Sequence, residues 1–191
     1  ADSRGAADHL IRGLTSRGAR AVVARPGVDV GRIVDDLASG AGALLTGVIH
    51  LWSLDMGSGD HDLAAMQADQ QVAYGSLLTL IQALGRSAAA PTFRMWLVTA
   101  GAQAVDTAPA TVSPGQTAVW GLGRVIATEH PELHCTCVDL DPSAMEDSLG
   151  QLADELVRGD REDHIAWRAG ARYVARLDRY PRPPSGTDQT L

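Results

Sequence analysis

The spacing of apolar positions along this chain switches repeatedly between the period of a helix and the period of a strand. Leu10, Ile11 and Leu14 share one face of a helix expected over Ala6 to Leu14 and ended near Gly18. Ala19 to Ala24 reads as a short buried strand, and Val30 to Leu37 as a helix with Ile33, Val34 and Leu37 on one face. Leu44 to Leu54 is the longest apolar run and is expected to form a central strand covered on both sides. From Asp62 to Leu84, the residues Leu63, Met66, Val72, Leu77, Leu80, Ile81 and Leu84 recur at helical spacing, which predicts a long crossover helix. Phe93 to Val98 is the next strand, and a loop follows from Thr99 to Val112.

The most explicit stretch runs from Ser113 to Leu140. Ser113 is placed to cap a helix, Pro114 suits its first position, and Gln116 stands at capping-box spacing. Val119, Leu122, Val125 and Ile126 form its apolar face, and Gly121 and Gly123 read as points of close packing. Pro131 stops the helix, and His134 to Leu140 follows as a strand with Thr136, Val138 and Leu140 on one side and Cys135 and Cys137 on the other. Ser143, with Glu146 at capping-box spacing, opens a helix from Ala144 to Val157. His164 to Trp167 and Arg172 to Leu177, joined across Ala169-Gly-Ala171, read as a hairpin at the sheet edge. After Asp178 the chain turns Pro-rich and polar, like a linker. Alternating strands and helices predict an α/β fold: a doubly wound, mostly parallel, Rossmann-like sheet with helices on both faces and a C-terminal β-hairpin.

Three runs carry a resemblance. Trp120-Gly-Leu-Gly-Arg-Val-Ile-Ala-Thr-Glu-His-Pro-Glu-Leu133 followed by Val138-Asp-Leu-Asp-Pro142, the strand Val48-Ile-His-Leu-Trp-Ser-Leu-Asp55, and the hairpin Ile165-Ala-Trp-Arg-Ala-Gly-Ala-Arg-Tyr-Val-Ala-Arg-Leu177 are similar to the structural half of ketoreductase domains in modular type I polyketide synthases. They occur in the family's order. The resemblance implies a truncated, short-chain-reductase-like structural subdomain over residues 1–178, with 179–191 a linker or tail. It also implies that an apolar strand ahead of the first helix is missing, because that helix starts abruptly after Asp2-Ser-Arg-Gly5. On this resemblance the chain is a non-catalytic scaffold within a multifunctional synthase. Its partner is the catalytic subdomain, which binds NADPH and reduces the β-keto group of a polyketide held on the acyl carrier protein, and an enoylreductase domain is inserted between the halves in some modules.

Composition narrows the alternatives. At 191 residues and 45% hydrophobic content the chain suits one soluble domain. Its formal charge of −7 offers no footprint for nucleic acid or an anionic membrane, and no apolar run approaches a bilayer's thickness. Two cysteines and a start lacking signal-peptide character suggest a cytoplasmic setting. All 16 basic residues are Arg, which excludes from this chain a P-loop, a Schiff base and the Tyr-x-x-x-Lys pair of short-chain reductases. Tyr74 is followed four residues on by Leu78 and Tyr173 by Leu177, so both tyrosines are expected at the core's edge.

The remaining candidates for chemistry are weak. Gly40-Ala-Gly42 precedes a strand, the wrong order for a phosphate loop, and Gly57-Ser-Gly59 is surrounded by Asp55, Asp60 and Asp62, which repel a pyrophosphate. His130, His134, Cys135 and Cys137 lack zinc-knuckle spacing and a second ligand pair. His50, within the central strand, is expected to be a satisfied core or strand-end histidine, with His9, His61 and His164 on the surface. Gly75-Ser76 falls inside a helix and makes no nucleophile elbow. Asp55, Asp139 and Asp141 end strands, where open α/β sheets bind ligands, although Asp141 before Pro142 also reads as a turn. The expectation is no catalytic, cofactor-binding or metal residue in this chain. Two other readings stand beside it: a free-standing small α/β nucleotide-binding enzyme using a degenerate loop at Gly57 to Asp62, and an architectural pseudo-ketoreductase.

Overall fold

Five strands lie side by side in chain order: β1 (Gly47–His50), β2 (Arg94–Ala100), β3 (Thr136–Leu140), β4 (His164–Arg168) and β5 (Ala171–Val174). The computed structural model describes Asp2 and residues 5–25, 27–39, 45–56, 63–86, 94–105 and 112–179. β1 to β4 are parallel, with Ile49 opposite Trp96 and Val98 opposite Val138, and β5 returns antiparallel to β4. The turn between them places Ala169 at φ 48° and Gly170 at φ 79°, the left-handed pair that matches the twist of a two-residue hairpin. The expected mostly parallel, Rossmann-like sheet with a C-terminal hairpin is the observed one.

Among the described residues, five helices cover the sheet. α2 (Val30–Ser39), α3 (Leu63–Arg86) and α4 (Pro114–Glu129) bury Val34, Leu77, Leu80, Val119 and Ile126 against Met95, Leu97 and Cys137 on one face. α1 (Ala6–Thr15) and α5 (Met145–Arg158) bury Leu10, Leu149 and Leu152 against Val98, Leu140 and Ile165 on the other. β2 and β3 are therefore shielded on both sides, and alternate residues feed opposite cores. α1 begins on the Asp2 carboxylate, which accepts from the backbone N–H groups of Ala6 at 2.9 Å and Ala7 at 2.7 Å and complements the helix dipole.

Several local expectations fail, each for a tertiary reason. Among the described residues, the run expected as a central strand forms only β1, four residues long, at the edge of the described sheet. From Trp52 to Asp55 the chain coils into a 3₁₀ turn, anchored where Ser53 Oγ donates to Val98 O. Ala19–Ala24 pairs with no strand among the described residues, and Val22 and Val23 are exposed. The side chain of Ser113 makes no cap bond, and Gln116 is buried with Oε1 accepting from Ala100 N at 2.7 Å, so it joins α4 to β2 instead of closing a capping box. Likewise Ser143 does not cap α5; its N–H and O–H both donate to Asp141 Oδ1, and the helix starts two residues later. Val72 and Val125 point outward. β5 stops at Val174, leaving Leu177 fully exposed.

The two helix glycines read as equivalent are not. A Cβ on Gly123 would run into Cys137 Sγ and lie 3.2 Å from Leu97 Cδ1, so α4 sits on the sheet only because that position is bare. A Cβ on Gly121 would meet nothing within 4 Å. We predict that Gly123→Ala destabilises this chain by about 1–3 kcal/mol through overpacking. Gly121→Ala should stabilise it by up to about 1 kcal/mol through helix propensity. Urea denaturation midpoints check the pair; a shared sign contradicts this packing.

Candidate functional site

Rossmann-like sheets bind their ligands outside the carboxyl ends of the strands, where backbone N–H groups meet phosphate. In this chain that crest is built by the last residues of β2 and β3, the segment Gly101–Gln103 and the end of β4. At its centre is Asp139, fully buried. Its Oδ1 accepts from Thr99 Oγ1 at 2.7 Å and Ala102 N at 2.8 Å, and its Oδ2 accepts from Gln103 N at 3.0 Å and from Arg168 Nη2. Gly101, at φ 68°, turns the chain so that these amides face inward, and its own N–H donates to Leu140 O at 3.2 Å. Three successive amides form the concave array that elsewhere cradles an anion, and all three are spent on groups of β3: Gly101 N on Leu140 O, and Ala102 N and Gln103 N on the Asp139 carboxylate.

Arg168 completes the arrangement. Besides Asp139, its guanidinium donates to Gln103 O at 2.8 Å, Leu140 O at 3.1 Å and Trp167 O at 2.6 Å. Behind Asp139, Trp120 Nε1 donates to Thr99 Oγ1 at 2.9 Å, and Thr99 in turn donates to Asp139, so a chain of bonds runs from α4 through β2 and β3 to β4. Such a network is favourable only when every buried member is satisfied, and here the carboxylate has four donors. Asp141 is tied separately: Oδ1 takes both Ser143 bonds and Oδ2 accepts from Ala169 N at 2.8 Å, fastening the end of β3 to the hairpin turn. The Ser143 hydroxyl is the main reason its carboxyl is held below the usual value, with the Ala169 amide adding to the effect. Sequence reasoning picked out both aspartates but not Arg168, Thr99, Gln116 or Trp120. The alternating pattern of the hairpin held the one available signal, an arginine ending an otherwise buried strand.

The other candidates are scattered. Asp55 ends the 3₁₀ turn, half-buried. Gly40-Ala-Gly42 and Gly57-Ser-Gly59, with Asp60, His61 and Asp62, lie outside the described residues. His130 pairs with Glu132 at 3.1 Å, and His134 is exposed at φ 42°. Cys135 and Cys137 are buried free thiols; the hydrogen bond that the Cys137 thiol makes to Cys135, together with burial, pushes the Cys137 pKa far up. Tyr74 is half-buried and donates to Gly115 O, joining α3 to α4, whereas Tyr173 lies more openly on the hairpin. His9 and His164 are not free surface groups: both are half-buried, and His164 lies 5.4 Å from the Trp120 ring.

His50 ends β1 and is buried, with Nε2 3.0 Å from Ser76 Oγ on α3. Burial lowers its pKa from 6.5 to about 4. As pH falls through 6.5 the unfolded chain takes up a proton that the folded chain refuses. The contribution is therefore complete above 6.5 and declines toward pH 4, by up to about 3 kcal/mol. Asp141, held below 3.8, acts in a separate window, its contribution present above that value and lost as pH falls through the lowered one. We predict that denaturation midpoints decline between pH 6.5 and 4, and that His50→Gln flattens this decline; an unchanged slope in the variant contradicts the assignment.

Comparison with known proteins agrees with this architecture. Residues 7–177 match the family described as the Rossmann fold domain of the polyketide synthase extender module SpnB. The chain is 42% identical over 114 residues to pikromycin polyketide synthase component PikAII of Streptomyces venezuelae, a match covering 59% of this chain and 3% of that protein. Among solved structures it is similar to a C2-type ketoreductase from a modular polyketide synthase, with TM-score 0.68 and 31% identity over 93% of this chain and 39% of that one. The first ketoreductase of the tylosin synthase gives TM-score 0.68 and 28% identity over 90% and 35%. The chain thus spans well under half of each ketoreductase and a small fraction of the synthase. A sheet in chain order, closed by a hairpin and matched over nearly its whole length, belongs to the Rossmann-fold domain family of polyketide synthase extender modules, in their ketoreductase region.

Proposed function

We propose that this chain is the non-catalytic scaffold half of a polyketide synthase ketoreductase, which stabilises an NADPH-dependent catalytic half that reduces the β-keto group of a carrier-bound polyketide. The observation that carries the reading is the occupied crest. The described groups there do not fit a dinucleotide: the amides of Gly101, Ala102 and Gln103 are already bonded to Leu140 and Asp139, and Asp139 stands as the protein's own anion in the array. Strand order supports the same conclusion. Dinucleotides bind where the order of strands reverses, and the described strands run β1 to β5 without reversal. The absence of lysine removes the usual reductase pair.

On this reading residues 1–178 form the scaffold and 179–191 a linker. The cofactor belongs to the catalytic subdomain, and the other partners are the acyl carrier protein and, in some modules, an inserted enoylreductase, all within one cytoplasmic polypeptide. The role of Asp139, Asp141 and Arg168 is then to hold the ends of β3 and β4 together, and the test separates stability from turnover in the intact ketoreductase. Asp139→Asn leaves buried Arg168 without its counter-charge and should cost about 3 kcal/mol of stability. We expect a lowered thermal midpoint with kcat and the NADPH KM unchanged at temperatures where the variant is folded, and the same for Asp141→Asn with a smaller shift. A large loss of kcat in the folded variant contradicts the scaffold role.

A further inference from the structure

At the amino ends of the strands, opposite the crest, lies a cleft of about 640 Å³, a volume within the ordinary range of small-molecule sites. Its polar wall is made by Thr46 ahead of β1, Arg94 on β2, Thr136 on β3, and His134 and Arg161 in the turns that lead into β3 and β4. Rossmann-like sheets hold their ligands at the carboxyl ends, so this cleft lies at the far end from that position.

The carboxylates of the cleft are already answered. Asp160 accepts from the Glu162 N–H at 3.2 Å and from Arg172 Nη2 at 2.8 Å, and Asp163 Oδ1 lies 3.0 Å from His164 Nδ1. The donors are not. Arg94 is fixed over the Trp96 ring and donates to Thr136 Oγ1 at 2.9 Å, Asp160 O at 2.7 Å and Glu162 O at 2.8 Å, which leaves other N–H groups of its guanidinium unspent. The side chains of Arg161, His134 and Thr46 make no bond among the described residues. His134 is held left-handed, at φ 42° and ψ 51°, and this strained turn into β3 sets its imidazole on the cleft wall. In a chain of net charge −7, a cleft with two arginines and unspent donors favours an anion.

We propose that this cleft binds a small organic carboxylate with an apolar body. Arg161 and Arg94 take the carboxylate, for which a guanidinium supplies parallel N–H donors, and Thr46 adds a hydroxyl. The carboxyl pole of α4 repels an anion near Ala127 and Pro131, so these two residues and Cys135 face the apolar body of the ligand. That pole, with Asp160 and Asp163, also penalises a second negative charge, which favours a carboxylate over a phosphate dianion. The site is independent of the scaffold reading, since its lining residues lie away from the crest that Asp139 occupies.

Calorimetric titration of octanoate into the intact ketoreductase, with inorganic phosphate as the dianionic comparison, tests this. We expect octanoate to bind with a dissociation constant of about 1 mM or below. Arg161→Gln should weaken binding about tenfold, the loss of one charge-assisted contact, and Thr46→Val should weaken it less. Arg161 has no bond to lose among the described residues, so the ligand-free variant keeps the parent's thermal midpoint, and octanoate raises the midpoint of the parent more than that of the variant. Equal octanoate affinity in the parent and in both variants places the ligand elsewhere on the ketoreductase and overturns the cleft. The absence of any octanoate binding overturns it as well. Phosphate bound more tightly than octanoate overturns the carboxylate and its apolar wall. None of these outcomes touches the scaffold reading, which NADPH binding decides.

Discussion

A buried carboxylate has to be answered by donors, and in this fold the answer to Asp139 organises everything around it. Thr99 from β2, Arg168 from β4 and two amides beyond β2 converge on one side chain at the end of β3. Because Thr99 also receives the Trp120 indole, the helix above the sheet is set by the same group. Removing the carboxylate leaves Arg168 charged and buried and three donors without a partner. An ion pair with so many shared partners contributes less to net stability than to fixing one arrangement of strands.

The same bonds decide what the crest can do. The geometry that lets a Rossmann-like sheet hold phosphate is present: a strand end, a left-handed glycine and successive inward amides. Its capacity is used internally. A carboxylate on the neighbouring strand fills the array, so its chemistry has become structural. Arg172 repeats the theme on β5, opposite Trp167 and one register position from Arg168, pairing with buried Glu155 through two bonds and with Asp160. Two arginines beside the turn thus tie the β4–β5 hairpin to the carboxylates of β3 and α5, consistent with a chain that has no lysine and needs planar, multidentate donors.

The periodic elements were legible in the sequence because their signals are local. α1, α2, α3, α4 and α5 fall within a few residues of their expected bounds, and β3 alternates its two faces as read, with Cys137 in one core and Val138 in the other. What failed was whatever depends on a distant partner. An apolar run such as 44–54 looks like a buried strand whether it ends as strand or turns at Trp52, since both are buried. Ala19–Ala24 has strand composition, but it is not among the strands of the described sheet. Gln116 and Ser143 sit at capping positions, yet Ala100 on β2 claims the first and Asp141, two residues back in the chain, claims the second. The aspartates of the crest were visible as strand-end carboxylates; their occupancy was not, because Arg168 lies 29 residues further on.

On the proposed reading this chain holds the architecture and cofactor binding belongs to the catalytic subdomain. Calorimetric titration of NADPH tests it most directly, first into this chain alone and then into the chain joined to the catalytic subdomain. Binding confined to the joined protein is the predicted result. Saturable binding to this chain alone contradicts the account, because it requires a donor array other than the one that Asp139 and Leu140 occupy.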